Sequence, residues 1–96
     1  MRAEGGLSAA GRRRVTLKLY ATLTDYLPAS QRTDNRVELE VAADATLAAV
    51  IAPFHLPPKL VHLVLVNGVF VPPEARAARR FEDGDVIAIW PPIAGG

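Results

Sequence analysis

The stretch Asp83-Gly84-Asp85-Val86-Ile87-Ala88-Ile89-Trp90-Pro91-Pro92-Ile93-Ala94-Gly95-Gly96 decides how the chain is read. Asp83-Gly84-Asp85 is a turn, because glycine reaches backbone angles closed to other residues and aspartate bonds local amides. Val86 to Trp90 is nearly all apolar, the pattern of a central strand buried on both faces. Pro91 and Pro92 favour an extended, low-entropy stalk. Gly95 and Gly96 lack Cβ, so they can thread a narrow channel and present a terminal carboxylate unhindered. The four residues beyond Pro92 reach about 13 Å when extended, far enough to enter a partner's pocket.

Working backward, Asn67-Gly68 stands between Val61–Val66 and Val69-Phe70-Val71. Asn-Gly between apolar runs signals a hairpin, since a type I′ turn needs positive φ at both central residues. Leu47, Val50, Ile51 and Phe54 recur at the spacing of one helical face, with Asp44 and Thr46 as candidate N-caps and a stop expected near Ala52, before Pro53. Further upstream, Val15-Thr16-Leu17-Lys18-Leu19-Tyr20 and Arg36 to Val41 alternate apolar and polar, which predicts two half-buried antiparallel strands with Val15, Leu17, Leu19, Val37, Leu39 and Val41 inward. Leu23 to Asn35 reads as a loop with a helical turn near Thr24 to Leu27, and Glu74 to Arg80 as a charged connection. Strands, one helix, more strands and a last buried strand make a small α+β domain with one helix on a mixed sheet.

Bulk properties narrow the function. At 96 residues, 50% hydrophobic and 22% charged, the chain supports one domain with a thin core. It has no cysteine, hence no thiol nucleophile and no cysteine-ligated metal, which fits the cytoplasm. The net charge is +1, but Arg2, Arg12, Arg13 and Arg14 against Glu4 give the first fourteen residues +3 and leave the remainder at −2. Residues 1–14 are read as a disordered arm, residues 15–90 as the folded domain and residues 91–96 as an extended tail. No nucleic-acid contact, membrane span or secretory leader is expected.

The stretch from Asp83 to Gly96, with Leu65-Val66-Asn67-Gly68 upstream, resembles the ubiquitin-like sulfur-carrier family, which includes the small subunit of molybdopterin synthase and the thiamine-pathway sulfur carrier. Each motif is weak alone; their order, ending in Gly-Gly, carries the resemblance over residues 15 to 96. It implies a ubiquitin-like β-grasp fold and a carrier protein, not an enzyme. An E1-like adenylating enzyme would use ATP to activate the Gly96 carboxylate. A sulfur donor would then form a thiocarboxylate for an acceptor such as a molybdopterin synthase large subunit, with no cofactor stably bound by the carrier. The ending Pro91-Pro92-Ile93-Ala94-Gly95-Gly96 is closer to the molybdopterin branch. A thiamine or other sulfur-transfer carrier, a modifier conjugated to lysines and a β-grasp interaction module remain open alternatives.

The reacting residue implied is Gly96, with Gly95, Ala94, Ile93, Pro92 and Pro91 gripped by partners. Phe70, Val71, Trp90 and Ile93 are candidates for a docking patch, with core packing as the other reading; the two are even for Phe70, and Trp90 is expected at the core or its edge. Arg76, Arg79 and Arg80 are read mainly as a charged surface, with partner pairing as the alternative. His55 and His62 form no defensible catalytic or metal arrangement, and Asp83 and Asp85 are explained by the turn.

Overall fold

The structure, a computed structural model, describes residues 11–92. The expected disorder over residues 1–10 and the site residues Ile93, Ala94, Gly95 and Gly96 lie outside the described residues. The strands are β1 (Arg12–Leu19), β2 (Arg36–Ala42), β3 (Leu63–Val66), β4 (Val69–Phe70) and β5 (Val86–Trp90), with one helix, α1 (Leu47–Ile51), between β2 and β3. They form a five-stranded sheet in the order β2-β1-β5-β3-β4. β1 and β5 run parallel and the other neighbours antiparallel, which is the mixed sheet of the β-grasp.

The two alternating segments pair as their spacing predicts, Leu17 opposite Val37 and Val15 opposite Leu39. Val15, Leu17 and Leu19 are buried, and Val37, Leu39 and Val41 pack half-buried against the same core. β1 nevertheless begins at Arg12, three residues before the expected domain boundary. Arg12, Arg13 and Arg14 therefore belong to the sheet and not to a disordered arm, because Ala42, Val41 and Glu40 offer them a ladder and Glu40 pairs with Arg12 at 3.2 Å. Apolar alternation cannot reveal order that comes from a neighbouring strand's backbone.

The helix is short. Thr46 is its N-cap, its Oγ1 accepting from the Ala49 N–H at 3.3 Å, while Asp44 stays exposed. Two more N–H groups of its first turn, which helix geometry leaves without partners, donate to the carbonyls of Arg79 (2.7 Å) and Arg76 (3.0 Å). The charged connection is thereby tied to the start of α1. A 3₁₀ turn, Ala52–Phe54, takes over where Pro53 forbids continuation. Two further 3₁₀ turns, Ala21–Tyr26 and Ala29–Gln31, occupy the segment expected to be a loop with a helical turn.

Leu47 and Val50 join Leu17, Leu19, Val64, Ile87 and Ile89 in one core on the helix side of the sheet. β5 is central as expected, but it is fully buried on one face only: Ile87 and Ile89 are closed from solvent, whereas Val86, Ala88 and Trp90 are half-buried. Among the described residues there is a single main helix, and none of them forms a second helical layer over the other face of the sheet. Among the described residues no helix is long and apolar enough to cross a membrane.

Ile87 stands between β1 and β3, opposite Leu17 and Val66. Replacing it with alanine should cost about 2–5 kcal/mol, read as a lowered urea midpoint with the slope of the transition unchanged.

Candidate functional site

The tail leaves the domain from the end of β5. There Leu63 lies opposite Trp90, and the Trp90 carbonyl accepts from the His62 N–H at 3.2 Å. On the other side the Tyr20 N–H donates to the Ile89 carbonyl at 3.1 Å. Tyr20 and Trp90 stack with ring centroids 4.0 Å apart and planes within 6° of parallel. Beyond Trp90 the ladder stops, because Pro91 and Pro92 have no N–H to donate to either neighbouring strand. Trp90 is thus held on both sides, while Pro91 and Pro92 lie outside the sheet.

Trp90 therefore sits at the core edge, as expected, and Tyr20 supplies the partner that the sequence reading missed. The signal for Tyr20 was its place one residue past Leu19, which pairs with Ile89. Only the parallel pairing of the first and last strands puts the two rings together.

Cross-strand neighbours share a face. Leu63 with Trp90, Leu65 with Ala88 and Leu65 with Phe70 consequently form one apolar surface on the side of the sheet away from α1. Phe70 is 51% exposed and Leu63 36%, so neither side chain is taken up by core packing. Val71 does not belong to this surface. It is buried in the core, its N–H donating to the Val64 carbonyl at 2.9 Å. Across β1 and β2 the same face turns polar, with Lys18 opposite Arg36 and Thr16 opposite Glu38.

The opposite end of β5 is locked by the two turns. Asn67 and Gly68 have φ of 52° and 82°, the positive values the hairpin needs, and Gly84 has 90°. Asn67 Nδ2 donates to Asp85 Oδ1 at 2.8 Å, and Asn67 Oδ1 accepts from the Val86 N–H at 2.9 Å. Asp85, nearly buried, also accepts from the Glu82 N–H at 2.8 Å, and Asp83 Oδ1 accepts from the Arg14 N–H at 2.6 Å. Both aspartates anchor backbone, as their reading as turn residues requires.

The connection is less superficial than its charge suggests. The Arg79 guanidinium lies 3.9 Å from Asp85 and 5.8 Å from the Phe81 ring centre. Arg76 Nε donates to the Val71 carbonyl at 3.1 Å, and its Nη2 is buried without a hydrogen-bond partner. Burial lowers the pKa of Arg76, and the charge of Glu74 opposes that shift. Arg80 remains exposed, as do His55 and His62. Among the described residues no group of three histidine, aspartate or glutamate side chains is placed to hold a metal ion.

A family model described as the ThiS family matches residues 25–96. Among curated proteins none matches the chain. Solved structures do. The Haloferax volcanii HVO 2177 protein superposes with a TM-score of 0.68 at 25% identity, covering 90% of this chain and 89% of its own. SAMP1 from Haloferax volcanii gives 0.61 at 23% identity over 86% and 99%. A Pyrococcus furiosus protein provisionally assigned as molybdopterin converting factor subunit 1 gives 0.58 at 19% identity over 84% and 99%.

Asn67→Ala removes both side-chain hydrogen bonds of the turn lock and leaves Asp85 short of a donor. It should destabilise the domain by about 1–3 kcal/mol in chemical denaturation, and amide exchange should quicken first at Val66–Val69 and Val86.

Proposed function

The chain belongs to the ThiS family, and from that premise we propose that it is a sulfur carrier whose reactive atom is the carboxyl carbon of Gly96. The observation that carries the reading is the family match itself, which runs through residue 96 and so includes Gly95 and Gly96. The geometry supports it: β5 is pinned up to Trp90, two prolines follow, and the apolar sheet face lies beside the point of exit.

A terminal carboxylate has a reference pKa of about 3.3 to 3.7, so at neutral pH it is ionised and a poor electrophile. An E1-like partner removes that obstacle. A carboxylate oxygen attacks the α-phosphorus of ATP and pyrophosphate leaves, giving an acyl adenylate. A donor carrying sulfur at the sulfide level then attacks the carbonyl carbon and AMP departs, leaving the thiocarboxylate. After transfer of sulfur to an acceptor enzyme, water restores the carboxylate. The carrier's own part is to present Gly96 on a narrow stalk, and to be gripped at Phe70, Leu63 and Trp90 while the stalk is in the partner's site. It needs no bound cofactor for this, and ATP belongs to the partner. The ending Pro91-Pro92-Ile93-Ala94-Gly95-Gly96 favours molybdopterin synthesis as the pathway, with a synthase large subunit as acceptor, in the cytoplasm where ATP is supplied.

A second reading uses the same activated Gly96. Two of the similar folds are named as small archaeal modifier proteins, and attack by a substrate lysine in place of sulfur would give an isopeptide conjugate. Carboxyl activation is common to both routes, and the nucleophile separates them.

Incubation with ATP, a competent activating enzyme and a sulfide source should raise the intact mass by the difference between sulfur and oxygen, and deletion of Gly96 should abolish the gain. Lysine adducts in cell extract without any thiocarboxylate would favour the modifier. Phe70→Ser should leave stability within about 0.5 kcal/mol, as expected for an exposed site, yet lower the rate of thiocarboxylate formation through a raised KM for the carrier.

A further inference from the structure

The sheet has two edges, and they are built differently. β4 is two residues long and runs into Pro72-Pro73, which blunts it against further pairing. β2 has seven residues, an unbroken register with β1, no proline and no lysine, and among the described residues no strand on its outer side. Its inward row, Val37, Leu39 and Val41, is only half-buried, whereas Val15, Leu17 and Leu19 of β1 are at most 1% exposed. The difference arises because α1 has five residues and shows β2 small side chains. A cleft of about 350 Å³ remains between them, lined by Leu39, Val41, Ala45, Ala49, Pro53 and Phe54 among others.

We propose that this cleft is a second docking site, which takes an extended peptide segment of a partner protein as a sixth strand on the outer edge of β2. Backbone groups of the edge supply the ladder, and alternate side chains of the incoming strand enter the cleft. The row of β2 on the opposite face fixes the charge. Glu40 is held by Arg12 at 3.2 Å, while Glu38 has no partner among the described residues. The complementary peptide alternates apolar residues, facing Val37, Leu39 and Val41, with polar ones that include a lysine or arginine opposite Glu38. A second copy of this chain fits badly. Every antiparallel register that overlaps five or more residues of β2 with its own copy and keeps both apolar rows on one face sets a glutamate against a glutamate, at Glu38 or Glu40.

The test uses the isotope-labelled full chain and a synthetic peptide of about ten residues, alternating valine with threonine and carrying one central lysine. Amide shifts should fall on Val37–Val41 and Ala45–Phe54 and spare Leu63, Phe70 and Trp90. Ala49→Arg, at an exposed helix position, should abolish them while thiocarboxylate formation proceeds at the wild-type rate, which separates this site from the carrier chemistry. Glu38→Lys should weaken the lysine peptide about two- to fivefold and reverse the preference toward a glutamate peptide. No shifts, shifts confined to the Phe70 face, unchanged binding by Ala49→Arg, or a peptide-independent dimer through β2 would each overturn the proposal.

Discussion

The insertion of β5 between β1 and β3 is the constraint on which the rest of the domain depends. Ile87 and Ile89 meet Leu17 and Leu19 on one side and Val66 and Val64 on the other, so the two fully buried residues of β5 knit together elements from both ends of the sequence. β1 and β5 are parallel, and parallel neighbours need a long crossover. Nearly the whole chain, including α1, is that crossover. Burial of the last strand thus closes the fold and at the same time fixes the point at which the described chain leaves the sheet, at Pro91.

Each end of β5 is held by a different kind of interaction. At its start, hydrogen bonds from Asn67 and to Asp85 join two turns that lie far apart in sequence, and a nearly buried carboxylate with several donors is costly to disturb. At its end, the stacked rings of Tyr20 and Trp90 and the paired backbone of Ile89 and Trp90 hold the strand, and two prolines then deny it any further ladder. The last strand is therefore held at both ends, and the described chain leaves the sheet at Pro91.

The uneven cover of the sheet gives the surface its features. One short helix protects one face, and even there it leaves β2 partly open; the other face carries Leu63, Phe70 and Trp90 beside a charged half at Lys18, Arg36 and Glu38. Two separate surfaces follow from the same economy of helix.

Period-two alternation over Val15–Tyr20 and Arg36–Val41, the helical spacing of Leu47, Val50, Ile51 and Phe54, and the glycine turns are local properties, and residues a few positions apart express them wherever they are placed. The sequence by itself therefore determined where strands and a helix form, both turns and the diglycine ending that suggests the chemistry, and it left the helix cap between Asp44 and Thr46. What it could not contain was which strand lies beside which and what covers each face, because these depend on residues tens of positions apart. Tertiary structure alone ordered Arg12–Arg14 against β2, stacked Tyr20 on Trp90, moved Val71 into the core and left β5 half-covered on its second face.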